Sequence, residues 1–197
     1  MIGNDRMVFN MKSIDMIETD TIEGDVVEVG VWKGGSMLSM ILKYETYNKY
    51  DREFYLYDTF TGMTAPSSID VDLANTSAAD ILTQEHIRCF APYDMVKSNI
   101  ERHTRYPHIR YIVGDICQNT TFPKNEIALL RLDTDWYEST KVELETFYPR
   151  VKKNGIVIVD DYGHWKGCKQ AVDEFLLQHP DISIQTIDYT GIWFRKP

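Results

Sequence analysis

Apolar residues in this chain follow two rhythms. Short β-rich runs of nearly continuous hydrophobic residues alternate with longer stretches in which apolar positions recur every three or four residues. The first pattern predicts buried strands, the second amphipathic helices. Asp25-Val-Val-Glu-Val-Gly30 reads as the first strand. Gly35 to about Asn48 reads as a helix, with Met37, Leu38, Ile41, Leu42 and Tyr44 on its apolar face. Phe54 to Asp58 is the second strand, Ile109 to Gly114 the third and Ile127 to Asp133 the fourth. A helix over Tyr93 to His103 carries Met95, Val96 and Ile100 at helical spacing. Glu138 to Arg150 is a further helix. Asn154-Gly155 signals a turn, and Ile156 to Asp160 is the fifth strand. Lys166 to His179 is a helix stopped by Pro180, and Ile182 to Ile187 with Gly191 to Phe194 suits a terminal hairpin. Thr61 to about Arg88 is a long polar connection with a helical piece at Ser77 to Thr83. Residues 1–23 read as a short N-terminal segment.

This alternation predicts one α/β domain: a mostly parallel seven-stranded sheet, helices on both faces and a C-terminal antiparallel hairpin. Helix-covered faces account for strands that are apolar throughout. In such sheets ligands bind beyond the carboxyl ends of the strands. Gly30, Asp58, Asp115, Asp133 and Asp160 all stand at predicted strand ends, so they converge on one expected site.

Two acidic pairs carry the chemistry. Leu130-Arg-Leu-Asp-Thr-Asp-Trp-Tyr-Glu-Ser-Thr140 places Asp133 and Asp135 at the end of one strand. Ile156-Val-Ile-Val-Asp-Asp-Tyr162 places Asp160 and Asp161 at the end of the next. Carboxylates leaving a buried strand are costly unless positive charge meets them. Two such strands side by side gather three or four oxygen donors, the ligand set of a hard divalent cation.

Glu28-Val-Gly-Val-Trp-Lys-Gly-Gly-Ser36 joins the first strand to the first helix. Gly30 permits a tight turn, and Gly34 and Gly35 let a ligand approach the backbone. The helix start offers N–H groups to an anion. The spacing is GxxxGG, neither GxGxxG nor a P-loop, so a plain structural turn is the other reading. Asp58 follows Gly30 by about 28 residues, where α/β nucleotide-binding folds hold a ribose; it also suits a cap for the loop Thr59 to Gly62. Asp115 and Ile116 suit an adenine edge and face, or a simple turn.

Composition narrows the partners. The 43% hydrophobic and 12% aromatic content is that of a folded domain of 197 residues. A net charge of -9 argues against nucleic acid or an anionic membrane as partner. Cys89, Cys117 and Cys168 are scattered and odd in number, which argues against a disulfide framework and fits a cytoplasmic protein. No signal core lies within Met1 to Asn10, and no apolar run is long enough to span a membrane.

With these pieces in order, the chain resembles the macrocin/mycinamicin-type O-methyltransferases, a class I S-adenosylmethionine-dependent family with a Rossmann-like fold. The resemblance rests on Gly24 to Gly35, Asp58-Thr-Phe-Thr-Gly-Met63, Cys89-Phe-Ala-Pro-Tyr-Asp-Met-Val96, Leu130 to Thr140 and Gly155 to Tyr162. It implies that the turn containing Glu28, Gly30, Trp32, Gly34, Gly35 and Ser36 holds the methionine part of the donor. Asp58 takes the ribose, and Asp115 with Ile116 borders the adenine. Asp133, Asp160 and Asp161 look like ligands of Mg²⁺, and Asp135 like the general base, with His164 its rival.

The implied reaction moves a methyl group to a hydroxyl of a sugar or glycosylated small molecule with neighbouring hydroxyls. Trp136, Tyr137, Tyr162 and Trp165 are candidates for stacking on a sugar ring, although core packing explains any single one of them. The 61–88 connection suits a lid over the acceptor, or a surface loop. Only about two dozen residues precede the first strand, where relatives carry a longer region involved in assembly, so a homo-oligomer remains an expectation without a defined state. Two other classes compete: a DxD-type metal-dependent glycosyltransferase and a non-catalytic S-adenosylmethionine-binding subunit.

Overall fold

The structure, a computed structural model, describes residues 3–83, 89–118, 121 and 123–197. The last five positions of the predicted 61–88 connection lie outside the described residues. The sheet contains β1 (Asp25–Val29), β2 (Phe54–Asp58), β3 (Ile109–Val113), β4 (Ile127–Leu132), β5 (Val151–Val159), β6 (Gln185–Thr186) and β7 (Ile192–Arg195). Their order is β3-β2-β1-β4-β5-β7-β6. The first five are parallel to one another, and β7 pairs antiparallel with both β5 and β6. This is the predicted architecture.

The strand order reverses between β1 and β4. The chain builds outward through β2 and β3, then returns to the other side of β1, which opens a crevice at the strands' carboxyl ends. β1 and β4 are buried along their whole length. Val26 joins the core on one face with Ile41, Phe54 and Ile158; Val27 joins the other with Leu130, Phe147 and Val172. Each fully buried aliphatic side chain of this kind contributes roughly 1.5–3 kcal/mol.

The helices are α1 (Asn4–Thr19), α2 (Gly35–Glu45), α3 (Ala78–Ile81), α4 (Tyr93–Glu101), α5 (Tyr137–Phe147) and α6 (Lys166–Gln178). Helix α1 fills most of the N-terminal segment for which the apolar pattern defines no element. Asn10 and Ser13 share its buried face with Phe9, Ile14 and Ile17, and these polar positions blur the hydrophobic period. A second difference concerns Asn154-Gly155. The turn signal does not end the strand: Asn154 takes a left-handed conformation (φ 64°) inside β5, where the register with β4 shifts. Asparagine is one of the few residues that tolerate this region.

Candidate active site

A cavity of about 540 Å³ opens at the carboxyl ends of β1, β2, β4 and β5. Gly30, Trp32, Asp58, Asp115, Ile116, Asp133, Asp135, Asp160, Asp161 and His164 all line it. Of the residues predicted to hold the donor, Glu28, Gly34, Gly35 and Ser36 do not. The Glu28 side chain lies beneath the cavity floor, fully buried and bonded to Arg131.

Backbone geometry brings the strand ends together. The Asp133 N–H donates to Val29 O and the Asp160 N–H to Leu132 O, both at 2.9 Å. Gly30 has φ 81°, and a Cβ there would stand 2.0 Å from the Asp133 carbonyl oxygen. Glycine is therefore what lets the end of β4 pass the β1–α2 turn. Asp58 holds that turn from β2: its Oδ2 accepts from the N–H groups of Val31 (2.8 Å) and Trp32 (3.0 Å). Its Oδ1 accepts from the Phe60 N–H at 2.7 Å, so Asp58 also caps its own loop. Gly34 (φ 82°) caps α2, and open space lies beside Gly35.

The acids form one group. Donor oxygens of Asp133, Asp160 and Asp161 all lie within 4.8 Å of one another. Arg131, wholly buried in β4, bonds Glu28 Oε1 at 2.7 Å, Asp133 Oδ2 at 2.8 Å and Asp160 Oδ1. Burial opposes the Arg131 charge, but Asp133, Asp160 and Glu28 outweigh it and hold the guanidinium protonated. Arg6 of α1 bonds Asp160 Oδ2 from the other side.

Even with two guanidiniums the carboxylates are under-compensated. Burial pushes Glu28 up to about 8 against the pull of Arg131. Burial, with Asp133 repelling, lifts Asp160 to about 7, although Arg131 and Arg6 favour its charge. Asp161 is raised well above the carboxylate range by burial, then by Asp135 and Asp133. Its buried Oδ2 has no hydrogen-bond partner among the described residues. Three converging carboxylates with an unpartnered oxygen fit an oxygen-liganded divalent cation.

Asp135 stands beside this group in a left-handed conformation (φ 70°). Its Oδ1 accepts the indole N–H of Trp165 at 2.8 Å. Burial, then the Asp133 charge, raises Asp135 to about 8. The Trp165 ring also packs edge-on against His164, at 4.7 Å between centroids. Behind the loop, the Thr134 hydroxyl lies 2.8 Å from both Ser139 Oγ and Glu143 Oε1, fixing it to α5.

The four aromatic candidates divide between structural contacts and the cavity wall. Trp136 is buried and donates to Thr64 O at 3.0 Å. The Tyr137 hydroxyl bonds Glu174, and that of Tyr162 bonds Asp173, both on α6. Of the four candidates, only Trp165 lines the cavity. Tyr189 of the β6–β7 loop lines it too and is 77% exposed.

Sequence reasoning also missed Arg6, Arg131 and Asp70. A charge inside the apolar run Ile127–Leu132 has to be paired, so Arg131 was detectable as a counter-ion. Arg6 and Asp70 gave no local signal. Asp70 is buried and accepts from Ser67 N–H (2.7 Å) and Tyr137 N–H (2.8 Å), pinning the 61–83 segment to the start of α5. That segment brings Gly62, Met63, Thr64 and Leu82 to the cavity wall.

Residues 1–196 match the macrocin O-methyltransferase (TylF) family. The chain is 32% identical to the 8-demethyl-8-(2,3-dimethoxy-alpha-L-rhamnosyl)-tetracenomycin-C 4'-O-methyltransferase of Streptomyces olivaceus, over 99% of this chain and 74% of that protein. It is 31% identical to the demethyldecarbamoylnovobiocin O-methyltransferase of Streptomyces niveus, over 100% of this chain and 75% of that protein. The solved structure of the O-methyltransferase NovP superposes with a TM-score of 0.86 at 29% identity, covering 99% of this chain and 81% of that one. These matches set aside the glycosyltransferase reading. With its parallel sheet, glycine turn and paired acids, this chain belongs to the macrocin O-methyltransferase family.

Proposed function

We propose that this O-methyltransferase moves a methyl group from S-adenosylmethionine to a sugar hydroxyl of a glycosylated small molecule, with a divalent cation, Mg²⁺ expected, at Asp133, Asp160 and Asp161. The observation that carries this reading is the convergence of those three carboxylates within 4.8 Å, in the same cavity as the glycine turn. Two relatives support the acceptor class: the tetracenomycin rhamnoside 4'-O-methyltransferase named above and the mycinamicin III 3''-O-methyltransferase of Micromonospora griseorubida.

The donor's methionine part rests against the start of this turn, where Gly30 and Trp32 line the cavity. Asp58 faces the ribose, and Asp115 with Ile116 the adenine. Glu28 acts from below, through Arg131. When bound, the cation supplies Lewis acidity that lowers the pKa of an acceptor hydroxyl and fixes its direction. Methyl transfer forms a C–O bond, breaks a C–S bond and releases the hydroxyl proton. Asp135 accepts that proton: it lines the cavity beside the three proposed ligands, within reach of an acceptor hydroxyl held there. His164 is the second candidate base on the same wall. Tyr189 offers its exposed ring to the acceptor sugar, and the 61–83 segment screens the site from water.

Titration calorimetry with S-adenosylmethionine and a methyl-transfer assay on glycosides with neighbouring hydroxyls test this reading. Methyl transfer is expected with Mg²⁺ and not in excess chelator. Full turnover in chelator overturns the metal assignment; absence of donor binding overturns the whole.

A further inference from the structure

Asp160 is gripped from two sides. Arg131 takes Oδ1 and Arg6 takes Oδ2. The two arginines are not equivalent. Arg131 sits in the central sheet and also bonds Glu28 and Asp133, so its place is fixed by the core. Arg6 enters from helix α1, 154 positions away in the chain. Its remaining donors reach the β6–β7 loop: Nε to Asp188 Oδ2 and one terminal nitrogen to Asp188 Oδ1, each at 3.0 Å, with Thr190 Oγ1 completing the set. Arg6 is 6% exposed and itself lines the cavity.

Glu28, Asp133 and Asp160 bond these two guanidiniums, and Asp135 and Asp161 add their charges beside Asp133 and Asp160. Such a group is stable only if positive charge is close at hand. Arg6 is the one of the two cations with a partner, Asp188, on the rim of the cavity, so its charge is divided between the cluster and that rim.

We propose that Arg6 is the counter-ion of the Asp133–Asp160–Asp161 cluster and competes with the divalent cation for it. The inference rests on the metal reading above. Arg6 occupies an oxygen of the same carboxylate and carries the same sign of charge, so it weakens cation binding electrostatically. Asp188 moderates the effect because its own negative charge offsets part of that of Arg6. Orientation of Asp160 does not depend on Arg6, because β5 and Arg131 already set it.

The test is calorimetric titration of MgCl₂ into the chelator-treated full chain. Arg6→Gln is expected to bind Mg²⁺ about tenfold more tightly than the parent. Arg6→Lys, which keeps the charge, is expected to stay close to the parent affinity. Asp188→Asn is expected to bind more weakly, because Arg6 then turns its whole charge on Asp160. A role for Arg6 confined to holding α1 in place would not tighten Mg²⁺ binding in Arg6→Gln. Equal or weaker Mg²⁺ affinity in Arg6→Gln overturns the proposal; should that variant fail to fold, unchanged or tighter binding in Asp188→Asn does so. A parent protein that takes up no Mg²⁺ removes the metal reading itself, a separate result.

Discussion

Trp165 donates its indole N–H to Asp135 at 2.8 Å, joining the start of α6 to the acid proposed as base. The bond favours the charged form of Asp135 against burial and the Asp133 charge, which raise its pKa. A base must be deprotonated to act, so turnover is expected to rise with pH across the Asp135 titration. Trp165→Phe removes the bond, raises the pKa further and moves that rising limb to higher pH. Asp135→Asn is expected to lower kcat by about 10²–10⁴ and leave donor affinity intact. A pH–rate profile with calorimetry on each variant checks both; an unshifted limb in Trp165→Phe counts against Asp135 as base.

Gly30→Ala is expected to damage fold and site together. The left-handed conformation alone costs about 1–2 kcal/mol with a β-carbon, and the added atom meets the Asp133 carbonyl at 2.0 Å. The melting temperature should fall, and Mg²⁺ affinity with it. Gly35→Ala, with nothing within 4 Å of the new carbon, should keep its melting temperature.

Glu143 is fully buried, and burial raises its pKa well above the ordinary value while Thr134 opposes. The folded state therefore holds the proton more tightly than the unfolded chain. The contribution to stability is full below the unfolded pKa of about 4.3 and declines as pH rises from there toward the raised folded value. Glu143→Gln removes this dependence. Denaturant unfolding at pH 5 and pH 8 should show the variant gaining on the parent at the higher pH.

Asp70→Ala is expected to cost roughly 1–3 kcal/mol, because it leaves the Tyr137 N–H and the Ser67 groups without their acceptor. Chemical unfolding measures the loss. If the 61–83 segment screens the site, the same variant should raise the KM for a glycoside acceptor.

Tyr189→Ala is expected to raise the acceptor KM about tenfold with donor affinity unchanged, the scale of one aromatic–sugar contact. Tyr189→Phe, which keeps the ring, should restore it. Equal KM values in all three proteins would remove Tyr189 from the acceptor site.

Much of this molecule was written locally. The run Ile127–Leu132 and the acids after it announced a buried strand ending in charge. The Glu28–Ser36 turn announced a strand-to-helix junction that needs glycine. Such features depend on a few adjacent side chains and the two backbone periods, so the pattern located five strands, the hairpin, most of the helices and the acidic strand ends.

What the pattern left open depends on partners far apart in the chain. Arg6 meets Asp160 and Asp188 across 154 and 182 positions. Asp70 meets Tyr137 across 67. For Tyr137 and Tyr162 the sequence left sugar stacking and structural packing both open, and their hydroxyls turn to α6. Composition and periodicity determined which elements form, because those follow from short-range sterics and the burial of apolar faces. Only the sheet order, with β4 returning beside β1, decided which charges face one another, because electrostatic pairing depends on distance in space and leaves no period in the sequence.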